Sequence, residues 1–112
     1  MLDSLVKIIR DRKKSDISKS YTSKLLDQGI DGCIDKLQEE FDELKYALKN
    51  EKQNIVHETS DVIYHLLVSL ESAGIKFEDV LVELEKRKKQ SGIDEKNSRI
   101  WNMMKTIYSQ KY

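Results

Sequence analysis

The chain contains no proline and only four glycines in 112 residues, and this scarcity constrains its fold more than any other feature. All-β domains depend on frequent turns built from glycine and proline, so a chain with so few of both is a poor candidate for a sandwich or a barrel. The glycines fall between segments of periodic apolar residues, where helix-terminating glycines are common. The sequence therefore predicts an all-α protein.

Apolar residues recur at helical spacing in several segments of the chain. The strongest pattern follows Asp31, a candidate N-cap, in alternating steps of three and four residues as far as Leu48. Other periodic segments begin near residues 2, 54, 77 and 94, and the last two are expected to run to Lys89 and Tyr112. The polar residues 15–24 show no convincing period. We therefore expect a bundle of four to five helices.

The composition limits how large a core these helices can share. Apolar residues make up 38% of the chain. Spread over four or five amphipathic helices, they form a thin core for a monomer of this length. We therefore expect a homodimer in which helices of both subunits complete the bundle.

The charges exclude some classes of function. Lys and Arg number 20, as do Asp and Glu, and a neutral chain is a poor nucleic-acid binder because neutralising phosphates needs surplus cations. No apolar run approaches the ~20 residues that cross a bilayer. The N-terminal segment places its charges after its apolar residues, the reverse of a secretory signal, and the single Cys33 cannot form an internal disulfide. We expect a cytoplasmic protein that binds neither nucleic acid nor membrane.

Carboxylates cluster on two predicted helices at positions that the apolar stripes do not explain. At 100° per residue, Glu39, Glu40 and Glu43 project from one side of the first helix. Glu58 and Asp61 are neighbours at i,i+3 on the second. Both clusters flank apolar stripes, so packing those stripes together would bring up to five carboxylates together. Such an arrangement is costly unless a cation compensates the charges.

The donor atoms indicate which cation would fit. Sites built entirely from carboxylate oxygens suit Mg²⁺, Mn²⁺ or Ca²⁺, and Mg²⁺ is the usual partner of phosphate substrates. The alternative is a solvated acidic face whose charges pair with lysines such as Lys36 and Lys45. A non-catalytic helical module that binds basic helices would present such a face.

The acidic pattern resembles the signature of a known superfamily. Glu39-Glu40-x-x-Glu43, followed after fourteen residues by Glu58-x-x-Asp61, is similar to the motif of the MazG-like all-α nucleoside-triphosphate pyrophosphohydrolases. Within that group the chain resembles the phosphoribosyl-ATP pyrophosphatase family. Three segments carry this narrower resemblance: SYTSKL at 20–25, DVIYHLLV at 61–68 and RKKQSGIDEKNSR at 87–99. We expect a pyrophosphohydrolase domain over residues 1–99 and a helical extension over residues 100–112.

The resemblance implies an activity. Members of this family hydrolyse the α–β phosphoanhydride of phosphoribosyl-ATP to phosphoribosyl-AMP and pyrophosphate, the second step of L-histidine biosynthesis. The implied cofactor is Mg²⁺, with Mn²⁺ as a substitute, and the implied fold is the MazG-like helical bundle. The alternative within the superfamily is a house-cleaning pyrophosphatase that acts on free or damaged nucleoside triphosphates.

The resemblance also implies which residues form the site. Four acidic residues are the implied catalytic metal ligands: Glu40, Glu43, Glu58 and Asp61. Glu39 is implied to be catalytic too, either as a further ligand or as the base for the attacking water. Six residues are implied to bind the substrate, Arg87 and Lys96 as second choices: Tyr21, Thr22, Lys24, Arg87, Lys96 and Arg99.

Two further residues invite a functional interpretation. His65 lies one turn beyond Asp61, but a lone histidine on an apolar helix is more often a satisfied core residue than a catalytic one. Cys33 lies beside Ile34 on an apolar stripe. We therefore expect both side chains in the core.

Overall fold

The computed structural model describes residues 1–88 and 92–111, with side chains described for residues 1–88 and 96–106. In these ranges every regular element is helical, which confirms the predicted fold class. The prediction of four to five helices was one short, because the described ranges form six α-helices. They are α1 (Leu2–Arg12), α2 (Tyr21–Asp27), α3 (Gly29–Asn50), α4 (Ile55–Ser72), α5 (Phe77–Arg87) and α6 (Gly92–Lys111), with a 3₁₀ turn at Lys52–Asn54.

The chain divides into two compact units, Met1–Phe77 and Glu78–Tyr112, which are described separately. The first unit contains α1 to α4, and the second contains most of α5 together with α6. Residues 99 and 100 are consecutive in α6, and the domain boundary predicted between them stays a prediction. The ends predicted at Lys89 and Tyr112 lie outside the described residues.

The additional helix is α2, which forms in a polar stretch without apolar periodicity. Its N-cap, Ser20, accepts a hydrogen bond from the backbone N–H of Ser23 at 3.2 Å. The Ser23 hydroxyl donates to the carbonyl of Arg12 at 2.6 Å, and Leu25 is buried. A cap and one buried leucine therefore hold this seven-residue helix, and neither produces a periodic signal.

Two glycines set the limits of the helices that carry the acidic clusters. Gly29 has φ +77° and is the first residue of α3, while Gly74 has φ +73° and follows the end of α4. Glycine adopts this left-handed conformation without the penalty that a Cβ imposes. The prediction that Asp31 caps α3 was wrong, since the helix begins two residues earlier. Asp31 lies in its first turn, where a carboxylate still complements the helix dipole.

The core of the first unit lies where α1, α2, α3 and α4 meet. Helices α3 and α4 pack most extensively, joined by the short 3₁₀ turn as a helical hairpin. At the end of α4, the Glu71 carboxylate pairs with Arg10 of α1 at 3.5 Å and with Lys13, which follows α1, at 3.6 Å. No described helix combines the length and apolarity that a membrane span requires. The buried apolar cluster comprises Val6, Ile9, Leu25, Cys33, Leu67 and Val68, which confirms the core position of Cys33.

Candidate functional site

Acidic side chains of α3 and α4 meet on one side of the hairpin. Glu40 and Glu43 share a face of α3 because they are three residues apart. One ligand oxygen from each of Glu40, Glu43 and Glu58 lies within 4.8 Å of the other two. The structure therefore brings together three of the four predicted metal ligands.

The fourth predicted ligand, Asp61, adjoins this group on α4. It forms a second group with Glu58 and His57, again with ligand atoms within 4.8 Å of one another. The Nε2 atom of His57 lies 3.3 Å from Oδ2 of Asp61. The His57 side chain is exposed, so this is a surface pair. Because Glu58 belongs to both groups, the four predicted ligands form one continuous cluster.

Glu39 has a different environment from Glu40. Its Oε2 lies 3.0 Å from Nζ of Lys36, and its side chain is 61% exposed. The hydrogen bond and the charge of Glu39 raise the pKa of Lys36. Among the described residues, Glu39 belongs neither to the group of Glu40, Glu43 and Glu58 nor to the group that contains His57. Its role as ligand or base stays a prediction.

The carboxylate cluster carries an electrostatic cost. Burial raises the pKa of Glu40, and the negative charges of Glu43, Asp61 and Glu58 raise it further. Burial and Glu43 likewise raise the pKa of Glu58, while His57 opposes that shift. Within the described part of the chain, Oε2 of Glu40 and Oε2 of Glu58 are buried without a hydrogen-bond partner. Buried oxygens of this kind fit a hard divalent cation, which would compensate their charge.

An aromatic group connects α2 to the helix that carries Glu58 and Asp61. The ring of Tyr21 stacks on Tyr64 at a centroid distance of 6.5 Å and meets His65 edge-on at 6.1 Å. The hydroxyl groups of Thr22 and Tyr64 are hydrogen-bonded to each other. Two predicted substrate-binding residues, Tyr21 and Thr22, thus contact α4 directly. The third on this helix, Lys24, is exposed in its last turn.

His65 is buried, which confirms the prediction of a core position. Its Nε2 nevertheless lies 3.7 Å from Oε1 of Glu40, so the residue borders the carboxylate cluster. The core interpretation did not predict this proximity. The available signal was the spacing, since His65 follows Asp61 by four residues and a helix places such residues on one face.

The remaining predicted substrate residues belong to the second unit. On α5, Nε of Arg87 lies 3.3 Å from Oε1 of Glu83, one turn away. On α6, Lys96 and Arg99 line a groove with Ile100 and Met103. The predicted contacts of Arg87, Lys96 and Arg99 with the substrate stay predictions.

The fold and the site together define an all-helical protein with a carboxylate cluster suited to a hard cation. Residues 2–88 match the family model of phosphoribosyl-ATP pyrophosphohydrolase. The chain is 46% identical over 100 residues to a phosphoribosyl-ATP pyrophosphatase of Dechloromonas aromatica, covering 88% of this chain and 93% of that protein. It is 42% identical over 99 residues to a phosphoribosyl-ATP pyrophosphatase of Roseobacter denitrificans, covering 88% and 94%.

A third relative is longer than this chain. The histidine biosynthesis bifunctional protein HisIE of Helicobacter hepaticus is 45% identical over 100 residues, which cover 88% of this chain and 43% of that protein. The chain therefore belongs to the phosphoribosyl-ATP pyrophosphohydrolase family. This confirms the predicted resemblance and the prediction of a hydrolase of phosphoric anhydrides.

Proposed function

We propose that the chain hydrolyses the α–β phosphoanhydride of phosphoribosyl-ATP, releasing phosphoribosyl-AMP and pyrophosphate, in histidine biosynthesis. The observation that carries this proposal is the convergence of Glu40, Glu43 and Glu58 in a member of this family, with a buried, unpartnered oxygen on Glu40 and another on Glu58 that fit a cation. Relatives named phosphoribosyl-ATP pyrophosphatase support the substrate, and the relative named for histidine biosynthesis supports the pathway.

The proposed cofactor is Mg²⁺, with Mn²⁺ as a substitute. The proposed ligands are Glu40, Glu43, Glu58 and Asp61, an all-oxygen set of the kind that hard cations prefer. When bound, Mg²⁺ would neutralise phosphate charge and lower the pKa of a coordinated water. Glu39, exposed beside Lys36, is proposed as a further ligand or as the base for the attacking water, and both roles stay open.

Attack of water at phosphorus is catalysed mainly by positioning and charge neutralisation. The Thr22 and Tyr64 hydroxyls form one pair, and because one of them donates to the other, one O–H remains to donate to a phosphate oxygen. Lys24 on the same helix is proposed to pair with the polyphosphate, with Tyr21 as a donor beside it. Arg87, Lys96 and Arg99 are proposed phosphate contacts on the strength of the family resemblance.

We propose that the functional form is a homodimer. Ile34, Phe41 and Leu66 line an open groove between α3 and α4, with Phe41 54% and Leu66 44% exposed. This groove continues the apolar stripes of the two helices that form most of the first unit's packing. If a second copy paired through the same groove, a single two-fold symmetric contact would cover the groove of both subunits.

The substrate assignment is tested by measuring pyrophosphate release from phosphoribosyl-ATP, ATP and dCTP in millimolar Mg²⁺. Phosphoribosyl-ATP is expected to be turned over fastest, and the nucleotide product is expected to be phosphoribosyl-AMP. Preference for ATP or dCTP would instead assign the chain to the house-cleaning pyrophosphatases. Hydrolysis of none of the three, with no stabilisation by Mg²⁺, would favour the non-catalytic interaction module. The cytoplasmic location stays a prediction.

A further inference from the structure

His65 is buried differently from the other buried polar side chains that the structure describes, Ser23 and Ser69. The Ser23 hydroxyl donates to the carbonyl of Arg12, and the Ser69 hydroxyl donates to the carbonyl of His65 at 2.8 Å. Both serines are therefore satisfied by the backbone. The imidazole of His65, with its side chain only 6% exposed, instead faces the Glu40 carboxylate.

The aromatic group fixes the orientation of this imidazole. Tyr64 packs edge-on against His65 at a centroid distance of 5.0 Å, and Tyr21 does so at 6.1 Å. Tyr64 is itself held by its hydrogen bond to Thr22. With rings on two sides, His65 has little freedom to rotate, and its Nε2 is held on the side of Glu40.

The two oxygens of Glu40 have different surroundings. Oε1 lies 3.7 Å from Nε2 of His65, whereas Oε2 is buried without a hydrogen-bond partner in the described part of the chain. A distance of 3.7 Å exceeds that of a hydrogen bond. In ligand-free sites, however, functional hydrogen bonds are often long and shorten when the ligand binds.

We propose that His65 is a positioning residue: it holds Oε1 of Glu40 through Nε2 and thereby directs Oε2 to the cation that Glu40, Glu43 and Glu58 bind. The inference rests on the proposed function, in which Glu40 is a cation ligand. Carboxylate ligands are commonly oriented by such outer partners, and the loss of one typically reduces metal affinity or activity by about 10- to 100-fold.

The test compares the magnesium dependence of wild type, His65→Leu and His65→Gln. The midpoint of Mg²⁺-induced thermal stabilisation and the Mg²⁺ concentration for half-maximal pyrophosphate release are measured for each protein. In His65→Leu both midpoints are expected to rise about 10- to 100-fold. In His65→Gln, whose side-chain amide supplies an N–H near the position of Nε2, they are expected to return to within a few-fold of wild type. His65→Met serves as a second apolar variant if His65→Leu does not fold.

Ser69→Ala is the matched control, because Ser69 is buried one turn further along α4 and its hydroxyl donates to a backbone carbonyl rather than to a carboxylate. It is expected to lower the melting temperature without moving either magnesium midpoint. An unchanged midpoint in the apolar His65 variants, with wild type stabilised by Mg²⁺, would overturn the positioning role and leave the proposed function standing. Equal losses in the Gln and apolar variants would overturn it too, since they indicate a packing effect. Failure of Mg²⁺ to stabilise wild type would overturn the proposed cation site, and the positioning role with it.

Discussion

Glu40 on α3 and Glu58 on α4 each bury one carboxylate oxygen that has no hydrogen-bond partner in the described part of the chain, although their ligand atoms lie within 4.8 Å of each other. Two like charges at this separation repel, and burial strengthens the repulsion because less water screens it. Burial is the main cause of the raised pKa of both groups, and the neighbouring Glu43 raises the pKa of each further. The cluster is therefore unfavourable in the free protein and is relieved by a proton or by a cation.

Replacing Glu40 with glutamine is expected to lower pyrophosphate release by about 100-fold or more, because a preorganised charge of the site is removed. The same variant is expected to be more stable than wild type without Mg²⁺ and to gain less from its addition. Asp42→Asn is the control, since Asp42 lies two residues away but is exposed and accepts from Gln38. Activity of Glu40→Gln equal to that of the control would contradict the assignment of Glu40 as a ligand.

The metal-free protein is expected to lose stability as pH rises. A carboxyl group whose pKa is raised by folding retains its proton in the native state at a pH where the unfolded chain has released it. The stabilising contribution of Glu40 and Glu58 is therefore fully present below the ordinary carboxyl pKa, 4.5, and is lost as pH rises through their raised pKa values. Mg²⁺ is expected to reverse the decline by compensating the ionised carboxylates.

Urea unfolding between pH 4.5 and 8 in EDTA measures this effect. Burial lowers the pKa of His65, so its protonation opposes the carboxylate trend at the acidic end. The informative quantity is therefore the difference in unfolding free energy between wild type and Glu40→Gln. If this difference does not grow with pH, folding does not raise the pKa of Glu40, and the prediction is wrong.

The hydrogen bond between Thr22 and Tyr64 is expected to hold α2 against α4. Thr22→Val and Tyr64→Phe are each expected to reduce the free energy of unfolding by about 1 kcal/mol, the typical contribution of one such bond. The double variant is expected to lose about 1 kcal/mol less than the sum, because the bond can be removed only once. Chemical denaturation of the four proteins completes this cycle, and strict additivity would rule out a stabilising bond.

Introducing a charge into the apolar groove is expected to dissociate the proposed dimer. Phe41→Glu places a carboxylate in the groove, where burial in a symmetric contact would bring two like charges together. Val56→Glu is the control, since Val56 is 80% exposed on α4 and does not line the groove. Light scattering after gel filtration is expected to give a dimer mass for wild type and the control and a monomer mass for Phe41→Glu. A monomeric wild type would contradict the proposal.

The helical hairpin and its acidic cluster were predictable from the sequence, because each depends on local spacing. The predicted packing of the apolar stripes was wrong in detail, because Phe41 and Leu66 stay about half exposed and the buried residues of α3 are Cys33 and Ala47. Helical spacing nevertheless places Glu40 and Glu43 on one side of α3, where Glu58 of α4 meets them. Their convergence follows once the hairpin closes. The chemistry of the ligands could therefore be predicted without coordinates.

The sequence did not predict features that depend on single tertiary contacts. Helix α2 is held by the Ser20 cap and the burial of Leu25, which leave no periodic pattern. Helical geometry predicted that Glu39 and Glu40 project from the same side of the helix. In the structure Glu39 is exposed and pairs with Lys36, whereas Glu40 is largely buried. Spacing along α4 indicates that His65 shares a face with Asp61, but its position beside Glu40 also depends on how closely α3 and α4 approach each other.

The most direct test of the central claim is a magnesium titration of pyrophosphate release from phosphoribosyl-ATP by the wild-type chain. The account predicts release that rises with Mg²⁺, saturates, and is abolished by EDTA. Parallel titrations of Glu43→Gln and Glu58→Gln are expected to show losses of about 100-fold or more. Phosphoribosyl-ATP that remains intact at saturating Mg²⁺, or that is hydrolysed equally fast in EDTA, would contradict it.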